Sequence, residues 1–183
     1  MGDLFHTSTA CAGAASAYVL RKIAYRAGAY APGIQGSVFD ELNSPGNGGT
    51  LARVQQWFHL RTSFMQQMGY RLKCRFVGAP TPEVIEWVKY GRGYRGAMLP
   101  TMFSKLHPDD ASQRQPNYQR WVIHAVGLAI DRIDETGDEA VMMVDPWPGL
   151  GDARGVSAIP STLESAHRER SSHALLFAWT GWS

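Results

Sequence analysis

The chain predicts an α+β fold, with N-terminal helices packed on a C-terminal antiparallel sheet. Two observations carry that expectation. In the first third of the chain, Ala12, Ala15, Val19 and Ile23 recur at helical spacing. In the last third, "QRWVIHAVGLAID" and "EAVMMVDPW" are apolar runs separated by "RIDETGD", which reads as a hairpin turn.

Taken in order, Cys11 to about Ala27 reads as a helix, with Ser8 or Thr9 placed to cap its start. Gly28 to Gly49 reads as loop, on "APG" and "SPGNGG". Thr50 caps a second helix running to about Met68, and Gly69 ends it. "YRLKCRFV" comes next, in which Leu72, Cys74 and Phe76 alternate with polar and basic residues as a half-buried strand. "TPEVIEWVKYG" is a third helix, with Thr81 as N-cap, Pro82 at the first helical position and Gly91 at the end. "YRGAMLPTMF" is a short strand, Lys105 to Asn117 a polar loop, and "HALLFAWTGW" a closing strand.

The 183 residues suffice for one hydrophobic core, so residues 1–183 are expected to form a single domain. Net charge is +2, with acids and bases interspersed, which argues against a nucleic-acid surface. Two cysteines, Cys11 and Cys74, are too few for a disulfide framework, and no CxxC pair is present. No His/Cys/Asp cluster has metal-ligand spacing, so neither a metal nor another cofactor is called for. No signal peptide is visible, and no apolar run approaches the ~20 residues of a membrane span. Synthesis in the cytoplasm is therefore expected. A signal-peptide-independent secretion system could still export the chain.

One constellation stands out. If the hairpin turn pairs Asp134 with Gly137, Asp145 lies opposite Val126. His124 shares the face of Val126, so His124 and Asp145 become diagonal neighbours. A one-residue slip would separate them onto opposite faces. Cys11 opens a helix, where unpaired N–H groups and the positive end of the dipole favour thiolate. Alone, a cysteine among alanines reads as a small buried residue. With an imidazole to carry its proton and a carboxylate to orient that imidazole, it reads as a nucleophile.

The order "CAGAASAYVL", "GGTLARVQQWF", "MGYRLKCRFV", "TPEVIEWVKYGRGYRGAML", "HAVGLAID" and "VMMVDPWPG" resembles the papain-like cysteine peptidases. Among them it resembles especially the bacteriocin-processing peptidases that cut double-glycine leaders. The resemblance runs from about Cys11 to Trp179. It implies a papain-like fold and a thiol protease triad: Cys11 as nucleophile, His124 as general base and acid, Asp145 as the orienting residue. That family usually places a glutamine before the cysteine to help hold the oxyanion. Here "DLFHTSTA" has none, so His6, Thr7, Ser8 or the Cys11 backbone N–H would stand in.

Other groups read more simply. Cys74 reads as core. His59, His107, His167 and His173 read as surface or structural, whereas His6 is near enough in sequence to reach the cleft. Trp147 and its loop are expected to flank the cleft, and Leu106 to Asn117 to form a rim. "GNGG" lacks the ending of a phosphate loop. The leading expectation is a cysteine-dependent amide hydrolase acting on a peptide, protein or peptidoglycan. As a free-standing domain it could be a bacterial secreted effector, either a cell-wall amidase or a glutamine deamidase, with an inhibitor or immunity protein as partner. The missing glutamine also fits a papain-like binding module that has lost its chemistry. Neither nucleic acid nor membrane is expected as a partner.

Overall fold

The structure is a computed structural model that describes residues 10–29, 34–102, 123–132, 137–146, 153–155 and 160–180. Helix α1 spans Cys11–Arg26, and a 3-10 helix spans Ile34–Asn43. Then come α2 (Pro45–Gly48), α3 (Leu51–Gln67), strand β1 (Leu72–Gly78), α4 (Thr81–Tyr90) and β2 (Arg95–Met102). Strands β3 (Ile123–Arg132), β4 (Glu139–Val144) and β5 (Ala153–Gly155) are next, then α5 (Pro160–Arg170) and β6 (His173–Trp179). The six strands form one antiparallel sheet in the order β1-β6-β2-β3-β4-β5. No helix of the described residues is long and apolar enough to cross a membrane.

Both faces of the sheet are covered. On one, α1 and α3 bury Val19, Leu20, Ile23 and Trp57 against Met98, Ala129 and Phe177. On the other, α4 and α5 bury Val84, Val88 and Leu163 against Leu99, Val126, Leu128 and Met143. Alternation along β2 and β3 separates the two sets, as the period of a strand requires. The α+β layout of helices and antiparallel strands is therefore present, with a second helical layer that the sequence pattern does not show.

Several local expectations need correction. The N-cap of α1 is Ala10, which has no side-chain acceptor, rather than Ser8 or Thr9. The stretch from Gly28 to Gly49 is not all loop. It holds the 3-10 helix, whose Val38, Phe39 and Leu42 are buried, and α2, capped by Ser44 accepting from Asn47 N–H. Pro80, not Thr81, is the N-cap of α4, and the Thr81 hydroxyl is used elsewhere. Helix α5 is additional. The cap of α3 is as expected: the Thr50 hydroxyl accepts from Arg53 N–H at 3.2 Å, and Gly69 comes after the helix at φ +86°.

The seating of α1 on the sheet decides where Cys11 lies. Gly96 and Gly127 let the helix approach closely, because a Cβ at either would meet a Val19 methyl at 2.3 or 2.8 Å. Gly13 touches α2 and the end of the 3-10 helix just as closely. A Cβ there would stand 1.9 Å from the Leu42 carbonyl oxygen. Lys22 binds Asp131 at 2.7 Å, and the Tyr18 hydroxyl donates to the same carboxylate at 2.5 Å. Burial first, then that carboxylate, raises the Tyr18 phenol far above its ordinary range. Helix α1 thus runs alongside β3, with Ala15 at Gly127 and Lys22 at Asp131. One turn back from Ala15, about 5.4 Å along the axis, Cys11 comes level with the start of β3.

Candidate active site

The hairpin sets the pair that faces Cys11. Gly127 of β3 lies opposite Val144 of β4, which continues to Val126 opposite Asp145. This is the register in which His124 and Asp145 become diagonal neighbours. The His124 Nε2–H donates to Asp145 Oδ1 at 2.6 Å, with the residues 1% and 0% exposed. With Nε2 committed to the carboxylate, Nδ1 is the ring nitrogen left for a second partner.

The group that faces it is Cys11, half-buried as the first residue of α1 and close enough to raise the His124 pKa. The thiol sits where the first N–H groups of the helix have no intrahelical acceptor and the helix dipole is positive. By strand parity His124 shares the face of Val126, away from α1. It stands near the end of β3, however, and its ring and Cys11 line one cleft of about 520 Å³.

Three influences set the charge of His124. Burial lowers its pKa, the hydrogen bond to Asp145 raises it, and Cys11 raises it further. The balance lies well up, at about 9. That direction favours the imidazolium form of a ring placed beside a carboxylate.

The remaining lining distinguishes walls from mouth. Ala125, Met98 and Pro100 form an apolar wall; Gly49, Thr50 and Leu51 approach from the α2–α3 corner. Phe76, Arg170 and His173 complete the cleft. Alternation along β1 predicts Phe76 in the core. Instead it is 43% exposed and stacks on the His173 ring with centroids 4.9 Å apart. It lies on β1, an edge strand of the sheet. His173 is accordingly a cleft residue rather than a surface one, although no local pattern in the sequence marks it. Arg170 likewise carries no sequence signal. It lies at seven residues from Leu163 on a helix with only one large apolar side chain, so the periodicity is faint.

His6, Thr7, Ser8 and Trp147 lie outside the described residues, as do His107 and the loop Leu106 to Asn117. A second hollow, of about 640 Å³ between α3 and β1, contains Cys74 and His59. Burial pushes the Cys74 thiol up to about 12, so it stays protonated; it is half-buried and packs against the edge of the core rather than within it. Among the described residues no group of three or more His, Cys, Asp or Glu is placed to hold a metal ion. In comparisons with known proteins, no family model matches the chain and no curated protein matches it.

Proposed function

We propose that the protein is a cysteine-dependent amide hydrolase with Cys11, His124 and Asp145 as its triad. The observation that carries this reading is the 2.6 Å His124–Asp145 bond standing behind a thiol at a helix start. In the proposed reaction the Cys11 sulfur attacks the amide carbon, and the C=O electron pair moves onto oxygen. His124 gives its proton to the leaving amine as the C–N bond breaks, leaving a thioester on Cys11. Water then attacks, His124 takes its proton, and the C–S bond breaks to release the acid. The Cys11 backbone N–H, free of any intrahelical partner, is the available oxyanion donor.

The resemblance to papain-like peptidases supports a peptide or protein amide as substrate. A cell-wall amidase or a glutamine deamidase would use the same three groups. Incubation with purified peptidoglycan, and separately with a peptide library, distinguishes these substrates. The hydrolase reading itself is tested by Cys11→Ala, which should abolish turnover while leaving the thermal midpoint nearly unchanged. Iodoacetamide should alkylate Cys11 selectively and fast near neutral pH. Labelling as slow as that of a free thiol, with no turnover on either substrate class, would instead favour a binding module.

A further inference from the structure

Among its described lining residues the cleft carries basic groups and no acid. Asp145 lies behind the His124 ring. Arg170 and two histidines do line it, one of them the imidazolium of His124. Arg170 is the last residue of α5, just before the turn Ser171–Ser172, where Ser172 takes φ +52°. Its Nε is buried and has no hydrogen-bond partner among the described residues. A buried N–H of a guanidinium left unpaired is costly, because the group has lost water without gaining an acceptor. Several other arginines have acceptors: Arg21 pairs with Asp40, Arg61 with Glu41 and Arg168 with Glu164. Arg71, Arg75 and Arg92 are exposed to water, whereas Arg170 is half-buried. Arg170 therefore stands out as a half-buried guanidinium on the cleft without an acceptor among the described residues; its Nε is shut off from solvent, so an acceptor entering the cleft would pair with the terminal N–H groups.

We propose that Arg170 is a specificity-determining residue that recognises a carboxylate on the substrate, next to the amide presented to Cys11. The planar guanidinium fork matches a carboxylate in two parallel hydrogen bonds. The exposed Phe76 face, backed by His173, offers an apolar shelf for the neighbouring substrate group. The substrate class is then an acidic peptide or amide. This inference rests on the hydrolase reading for the word substrate, but its test does not need turnover.

Cys11 is alkylated in parallel with iodoacetate, which carries a carboxylate, and with neutral iodoacetamide, and the ratio of the two rates is read. The His124 imidazolium contributes to that ratio in every variant, so the comparison isolates Arg170. Arg170→Gln should lower the ratio about tenfold, the loss of one charge-assisted hydrogen bond. Arg170→Lys should retain most of it. Should Arg170→Gln fail to fold, Arg170→Met, which keeps the aliphatic stem, reads the same quantity. A ratio equal in wild type and in the folded neutral variant overturns the proposal. Protection of Cys11 by N-acetylglutamate α-amide, or by N-acetylalanine, tells a side-chain carboxylate from a terminal one. Protection by neither overturns it as well. Failure of the hydrolase reading looks different: Cys11 would then react slowly with both reagents.

Discussion

His124 and His167 are both shut away from solvent, at 1% and 0% exposure, yet their partners differ in kind. His124 has a carboxylate on one nitrogen and Cys11 in the same cleft, and its pKa rises. His167 has neutral partners. Its Nε2–H donates to the His173 carbonyl at 2.7 Å, which leaves Nδ1 to accept from the Thr81 hydroxyl at 2.8 Å. The His173 carbonyl offsets only part of the cost of burying a positive charge, so burial prevails and lowers its pKa. The contrast shows that burial alone does not make a histidine functional. One ring is kept charged beside a cleft; the other is kept neutral as a tie between α4, α5 and β6.

The strongest break of this comparison is removal of each ring in turn. His124→Ala should lower turnover by at least about 10,000-fold, since triad members act as a unit. His167→Ala should leave the iodoacetamide rate of Cys11 close to wild type while lowering stability by about 2–4 kcal/mol, because two buried polar groups lose their partner. Urea melts and alkylation kinetics on both variants check the pair of outcomes. Next in size, Asp145→Asn should cost about 1,000-fold in turnover by loosening the tautomer and orientation of His124.

Acidity and alkalinity should separate the two rings by sign. His124 has a raised pKa, so its contribution to stability is complete below about 6.5 and is lost as pH rises through about 9. His167 has a lowered pKa, so its contribution is present above the ordinary histidine value and is lost as pH falls below it. Urea midpoints of His124→Gln should therefore lose the alkaline slope of wild type, and those of His167→Gln the acid slope. The smallest effect is expected for Thr81→Val. Removal of one hydroxyl that donates to His167 should cost about 1–2 kcal/mol in a urea melt and leave turnover unchanged.

Much of the His124–Asp145 geometry is legible in the sequence because a hairpin register has only two parities. "RIDETGD" restricts where the turn can fall, and the apolar runs on either side settle which face is buried. The Cys11 helix is legible for a similar reason: Ala12, Ala15, Val19 and Ile23 repeat cleanly. Helix α5 is not, because Leu163 and Ala166 are its main buried apolar side chains and the rest of its inward face is His167. The 3-10 helix is hidden by the glycines and proline around it, although Val38, Phe39 and Leu42 carry its burial. Phe76 and His173 escape because their stacking depends on the pairing of β1 with β6, which no local pattern encodes. Arg170 escapes because a lone arginine on a polar helix end looks like ordinary surface until the described residues of the cleft beside it are seen to include no acid.

The chemistry proposed for the cleft depends on a buried imidazolium that links Cys11 to Asp145. Long-range ¹H–¹⁵N NMR of the histidine rings, followed across a pH range of about 5 to 10, reads it most directly. His124 should stay doubly protonated through neutral pH, titrate near about 9, and move downward in Asp145→Asn. A His124 ring that is neutral at neutral pH, or whose titration is the same with and without the Asp145 carboxylate, would contradict it.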